Sequence, residues 1–324
     1  MKFIKIVRNV TVVGVLAAAI GSSFEIISKS DVRPVVVNAA SKKVHHAKKR
    51  RTKKPKIKQA TLILPKGYTR ERLREAAHYE KKVISNTNNI EKVEGGYVSN
   101  PSPAFIKACM KGMRINNFGD SGALDSSGDT KKVNPNKLTF EQTKELTSFT
   151  LRLINEARST LGLKPWLTSD NTQKLANDIA TEYIKHKKSI FDNTAYDVGI
   201  VRASRKNGLN IDQNYIDNYD GTEADDSGKD TILYLKQLVY IDLESWIFGT
   251  LDSNYVSKKD FTDWTFASQL LTTGTGNENE DNETHYFALS ISRLHGDFTY
   301  HFIDIPSSLY TGEMAARTGT TFKP

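Results

Sequence analysis

The 324-residue sequence has a single cysteine, Cys109. A lone thiol cannot close an intramolecular disulfide, so a disulfide-stapled scaffold is excluded and stability must come from an apolar core. Cys109 lies among apolar neighbours in PAFIKACMKGM and reads as a small buried hydrophobe, a reactive thiol being the alternative. Histidine is scarce, with seven residues, and no Gly-x-Ser-x-Gly, His-Glu-x-x-His or phosphate-loop pattern occurs. The common signatures of α/β-type serine hydrolases, zinc peptidases and P-loop enzymes are therefore missing. Acid is missing from one stretch altogether: residues 42–58, KKVHHAKKRRTKKPKIK, carry ten Lys or Arg and no Asp or Glu. From Gln59 to Pro324 there remain 31 bases against 35 acids, so the formal charge of +9 belongs to that stretch and not to the body.

The first residues have the order of a secretory signal: Lys2, Lys5 and Arg8, then the apolar run Val10–Ile20, then small residues at Val37-Asn38-Ala39. Cleavage there is expected to leave Ala40 or its neighbour as the mature start. An uncleaved signal-anchor is the alternative, because residues 9–27 are nearly continuous in apolarity, and Glu25 stands against it. Ser41–Lys58 has no aromatic residue and self-repelling charge, the composition of an unfolded segment.

Further along, Gly67–Ser85 is expected to form a charged helix entered through Thr69, and Ala104–Met113 a short helical piece between loops. Thr139-Phe-Glu-Gln142 matches a capping box and opens a run with Leu146, Phe149, Leu153, Ile154, Ala157 and Leu161 at steps of three and four, stopped by Gly162. A second helix starts at Ser169 or Asp170 with Leu175, Ala176, Ile179, Ala180, Tyr183 and Ile184 on one face. A third covers Asp197–Lys206 and stops at Asn207-Gly208, and a fourth runs from Asp230 to Phe248. Asn210–Asp230 reads as an acidic loop. Near the end the period becomes two, in Tyr286–Arg293 and Phe298–Ile305, with Leu294-His-Gly-Asp297 as the turn of a hairpin. Helices first and strands last, without a βαβ rhythm, indicate an α+β layered fold.

LPKGYTRERLREA, GMRINNF, LTFEQTKEL, LRLINEARSTLGLKPW, ANDIATEYI and HFIDIPS, in that order over most of residues 61–308, resemble the surface exclusion domain family of Gram-positive cell-surface proteins. The pattern Leu153-Ile-Asn-x-x-Arg-x-x-x-Gly-x-x-x-Trp166 further resembles the first helix of the wider CAP superfamily of cysteine-rich secretory, venom-antigen and plant pathogenesis-related proteins. The resemblance implies a CAP-like α-β-α sandwich with a C-terminal β-hairpin, placement at the cell wall, and a role in adhesion or in limiting mating contact between cells. It divides the chain into a signal peptide (1–39), a disordered polybasic linker (40–60), a helical and loop N-terminal region (61–137), the CAP-like domain (138–310) and a flexible C-terminal tail (311–324).

CAP domains gather two His and two acids in a cleft, and by the resemblance that set is degenerate here. Ala195-Tyr196-Asp197 stands where the family has Gly-His-Asp, and Asp263-Trp264-Thr265-Phe266-Ala267 stands where it has Glu-Trp-Leu-His-Ala. The candidate cleft is then Tyr196, Asp197, Asp217, Asp263, Trp264, Phe266 and His301, without the imidazole pair that would hold zinc. No catalytic residue, metal or other cofactor is expected. The acidic stretches Asp217–Asp230 and Asn277–Glu283 do not follow EF-hand spacing and read as solvated loops.

The expected function is a non-enzymatic secreted or wall-associated protein mediating or limiting cell-cell contact through an unknown surface protein partner. Lys42, Lys43, Lys48, Lys49, Arg50, Arg51, Lys53, Lys54, Lys56 and Lys58 would hold it on anionic wall polymers or a membrane surface. A solvated spacer is the plainer reading of those bases. Specific nucleic-acid binding is not expected, since no aromatic residue interleaves them. Gly319–Pro324 shows no sorting pentapeptide or apolar span, which leaves the polybasic stretch as the expected anchor. The alternative is a hydrolase of peptide or wall polymer working through Asp197, Asp217, Asp263 and His301.

Overall fold

In the computed structural model the Thr139 capping box forms in both directions. Gln142 N–H donates to Thr139 Oγ1 at 3.3 Å, and Thr139 N–H donates to Gln142 Oε1 at 2.8 Å. The structure describes residues 60–87, 90–116, 118, 130–192, 196–222, 230–250, 257–271 and 283–324. The signal peptide, the ten tail bases and Asn277–Asn282 lie outside the described residues. Elements in chain order are α1 (Arg70–Ala76), β1 (Ala77–Thr87), β2 (Ile90–Ser99), α2 (Pro103–Ile115), α3 (Phe140–Thr160), α4 (Asp170–Lys185), α5 (Asp197–Lys206), β3 (Asp217–Thr222), α6 (Ile232–Phe248), α7 (Thr265–Leu271), β4 (His285–Leu294), β5 (Asp297–Pro306) and α8 (Gly312–Thr318). Among the described residues no helix is long and apolar enough to cross a membrane.

Three antiparallel strands in the order β3-β5-β4 form the middle layer. The β4–β5 turn is His295-Gly296, with φ of 54° and 100°, the doubly left-handed pair that fits strand twist. Because side chains alternate along a strand, each face meets its own helices. Phe287, Leu289, Ile291, Phe298, Tyr300 and Phe302 join the larger core with α3, α6 and α7. Ala288, Ile303 and Ile305 join a smaller core with α4 and α5. The outer edge of β4 is covered by side chains: Leu289 N–H donates to Thr147 Oγ1 at 2.8 Å, and Leu289 C=O accepts from Gln173 Nε2 at 3.0 Å. Helix, sheet, helix is the expected α+β sandwich.

Four expectations need correction. The helix foreseen over Gly67–Ser85 ends at Ala76, and from Ala77 the chain runs antiparallel to Ile90–Ser99, with a register shift between Val83 and Ser85. A lone charged helix with a thin apolar stripe gains little from packing, whereas pairing satisfies the backbone across the hairpin. The acidic loop at Asn210–Asp230 contains β3, which completes the sheet beside β5. The disordered linker cannot extend to residue 60, because Ala60 is fully buried, and Leu62, Leu64, Tyr68, Leu73 and Phe105 share the larger core with α3 and α6. The N-terminal region is thus part of the sandwich's packing.

The C-terminal segment expected to be a free tail is docked on the body in the structure. Thr321 and Phe322 N–H both donate to Gly208 C=O at 2.8 and 3.0 Å, and Phe322 is buried in the smaller core. Gly208 allows this approach, since a Cβ there would sit 2.6 Å from Thr321 Oγ1.

The segment Ala60–Ile63 is tied to the body by side chains. Arg152 donates to Ala60 C=O, Tyr240 to Thr61 C=O and Leu62 N–H to Glu156, while Asn116 both accepts from and donates to the Ile63 backbone. Nearby in the core, Glu244 on α6 is buried, and that burial pushes its carboxyl up from 4.5 to about 8. The folded state therefore binds its proton more tightly than the unfolded chain, and stability falls as pH rises from about 4.5 through about 8. Glu244→Gln is expected to exceed the wild type by roughly 2–3 kcal/mol at pH 8 and to equal it near pH 4. Urea midpoints at the two pH values check this, and a pH-independent difference would refute it. Cys109 is buried as expected, and burial raises its thiol to about 12.

Candidate functional site

His301 stands on the β5 face that meets α4. Its register partner on β4 is Ser290 and on β3 is Tyr219, which places Asp217 one step along the same face. His301 Nδ1 lies 3.0 Å from Asp217 Oδ2, and Nε2 lies 3.1 Å from Ser292 Oγ. An ionised carboxylate only accepts, so Nδ1 carries a proton toward Asp217; in the neutral ring Nε2 then accepts from the Ser292 hydroxyl. Tyr183 on α4 meets the imidazole edge-on at 4.4 Å, and Tyr196 meets Tyr183 at 5.6 Å. Burial first, then the negative charges of Asp217 and Asp197, raise the phenols of Tyr183 and Tyr219. Tyr183, Tyr219, Asp197, Asp217 and His301 are therefore one cluster, with Tyr196 at its outer wall.

The atom order Asp217, His301, Ser292 resembles a nucleophile–base–acid chain, but access decides its chemistry. His301 is 0% exposed and Ser292 2% exposed, and α4 covers this face, with Ser290 Oγ donating to Ala176 C=O at 2.6 Å. The chain serves as a buried polar network that ties β3 to β4 across β5.

The other three candidates lie on the opposite face. Trp264 is fully buried against Phe105, with centroids 5.5 Å apart. Phe266 stacks on Trp246 at 4.2 Å and 13°. Asp263 Oδ1 accepts from Thr265 N–H at 2.7 Å, a capping role at the start of α7. The seven residues expected in one cleft are thus divided by the sheet, because the strand period of two sends their neighbours to different layers.

Sequence reasoning missed two features. Asp220 on β3 and Asp242 on α6 lie close enough to interact electrostatically. Trp246 Nε1–H donates to Asp220 Oδ2 at 2.6 Å, and burial first, then the Asp220 charge, raise the Asp242 carboxyl well above the usual range. The three-residue step from Asp217 to Asp220 on a strand was the available signal, since it puts them on opposite faces. The second feature is a basic rim around Tyr196, whose ring is half-buried. His186 lies 5.5 Å from that ring, and Lys188 Nζ 5.9 Å from its centroid. Arg202 pairs with Glu182 and contacts His186 Nε2 at 3.0 Å; its pKa is raised first by a hydrogen bond to Tyr196 and then by Glu182. The run Lys185-His186-Lys187-Lys188 was its signal in the sequence. Among the described residues no group of three or more His, Cys, Asp or Glu is arranged to hold a metal ion.

No family model matches the chain, and no curated protein does. Among solved structures it is similar to the CAP domain of Enterococcal PrgA, with a TM-score of 0.50 and 18% identity, over 69% of this chain and 84% of that one. At that identity the likeness is one of fold, and the fold is CAP-like.

Proposed function

We propose that the chain is an exported surface protein that contacts a partner at the cell envelope through its CAP-like body and is held there by residues 42–58. The observation that carries this reading is the separation of charge: ten bases and no acid in the segment, and an excess of acid in the body behind it. Clustered Lys and Arg bind wall phosphates or anionic headgroups through counterion release, sensitively to salt. The CAP-like fold and the resemblance to surface exclusion proteins support placement at the envelope and a role in mediating or limiting contact between cells. The burial of the His301 network supports recognition over catalysis.

Deletion of residues 42–58 is expected to move most of the protein from the wall fraction to the medium and to remove the salt dependence of what remains bound. Fractionation of expressing cells over a salt series reads both. Unchanged retention with unchanged salt dependence would overturn the anchoring.

A hydrolytic reading has one observation in its favour. The Asp220–Asp242 pair sets an acceptor carboxylate near a carboxyl that burial makes a weaker acid, the beginnings of an acid–base arrangement. It requires that the purified chain release soluble fragments from wall material or casein, and that Asp242→Asn abolish the release. The proposal here expects no release.

A further inference from the structure

The helix ends of this molecule provide an internal comparison. Four helices close with the same pair of backbone bonds, α8 at Gly319 and Thr320 among them, and each has glycine at the left-handed position. Gly162 and Leu163 N–H donate to Ser159 and Arg158 C=O after α3, Gly208 and Leu209 to Arg205 and Ser204 after α5, and Gly249 and Thr250 to Trp246 and Ser245 after α6. The φ values of Gly162, Gly208 and Gly249 are 70°, 83° and 76°. α4 closes in the same way, with Lys187 N–H to Ile184 C=O and Lys188 N–H to Tyr183 C=O, but its left-handed residue is Lys187 at φ 50°. A side chain is strained there, where Gly or Asn is the usual solution. Attraction of a cation to the helix C-terminus does not explain the choice, because Lys185 already supplies one in the last turn.

The groups around that turn are mostly of one sign. Lys185, His186, Lys187 and Arg202 are exposed, and Lys188 reaches over the Tyr196 ring. Of the nearby acids, Glu182 pairs with Arg202, Asp178 with Lys174 and Lys206, and Asp192 Oδ2 accepts from Ser189 N–H, while Asp197 belongs to the cluster behind Tyr196. Lys185 and Lys187 make no ion pair among the described residues. Three amines, a guanidinium and a half-exposed phenol ring thus share one rim, in a body that is acidic as a whole.

We propose that this rim is a second, folded envelope contact: a binding site for a phosphate-bearing polyol polymer, with Lys185, Lys187, Lys188 and Arg202 on successive phosphates and the Tyr196 ring against the polyol carbons. The choice of polymer rests on the envelope placement proposed above, while the site acts independently of residues 42–58.

The test uses the full chain with the ten tail bases changed to glutamine, so that anchoring by the tail and binding by the rim fail separately. The probes are synthetic poly(glycerol phosphate) and a single-stranded oligonucleotide of equal charge. The tail-neutral chain is expected to bind the polymer. Adding Lys185→Gln, Lys187→Gln and Lys188→Gln is expected to weaken binding about tenfold or more at low salt and to lower the slope of log K against log salt by about 2. Lys187→Asn alone is expected to weaken binding while raising the melting temperature, opposite signs that a purely structural role would not give. No polymer binding by the tail-neutral chain, or binding unchanged in the triple variant, would overturn the proposal. Equal or tighter binding of the oligonucleotide would reduce the rim to unspecific charge and overturn it as well.

Discussion

Gly249→Ala is expected to cost about 4 kcal/mol, enough to remove most of the stability of a domain of this kind. Two effects add at this position. Gly249 has a φ of 76°, where a methyl group strains the backbone by about 1 kcal/mol. Its Cβ would also sit 2.0 Å from Trp264 Cε2, and Trp264 is a fully buried, rigid ring backed by Phe105. Overpacking against such a ring costs roughly 1–3 kcal/mol or more. The shift would also disturb the Gly249 C=O, which accepts from Thr262 and Asp263 N–H and so leads the chain into α7. Gly162→Ala is the control: its φ is 70°, but nothing lies within 4 Å of its Cβ, so only the cost of about 1 kcal/mol applies. Equal losses for the two variants in urea titrations would show that the Trp264 contact is not the cause.

Glu145→Gln is expected to destabilise the fold by about 3 kcal/mol. Lys236 is 0% exposed, its Nζ lies 3.0 Å from Glu145 Oε1, and it reaches over the Phe149 ring at 5.6 Å. Taking away the carboxylate removes the ion-pair partner of a buried ammonium between α3 and α6. Lys236→Met together with Glu145→Gln removes both charges and is expected to return stability to within about 1 kcal/mol of the wild type, or above it. A single Glu145→Gln variant as stable as the wild type would show that the pair is not what compensates the buried charge. The double variant separates that outcome from a general packing defect.

The helices α3 to α6 and the β4–β5 hairpin were legible because several local signals agree in each: the Thr139 capping box, the left-handed glycines at 162 and 208, and a clean change of period after His285. β1 was not legible, since its residues fit a helical stripe equally well and its pairing partner begins only at Ile90. β3 reads DNYDGT, a composition that belongs to loops, and it becomes a strand because β5 offers an edge more than 75 residues later. Phe322 is a single aromatic near the end, and no local pattern shows that Gly208 leaves room for it. At the site, the resemblance named Tyr196, Asp197, Asp217 and His301, which the structure brings together around Tyr183. It grouped them with Asp263, Trp264 and Phe266, which only the alternation of β5 places on the other side. The contact of Asp217 with His301 spans 84 residues and is set by strand register, which no short motif records.

The manner in which Ala60–Ile63 is fastened has a mechanical consequence. Any tension entering from residue 59 meets Arg152, Tyr240, Glu156 and Asn116 as separate side-chain clasps, not a strand ladder loaded in parallel. Loosening these clasps would draw Leu62 and Leu64 out of the larger core. Were the chain held through residues 42–58 as proposed, a pull would meet this short segment before it reached the sheet.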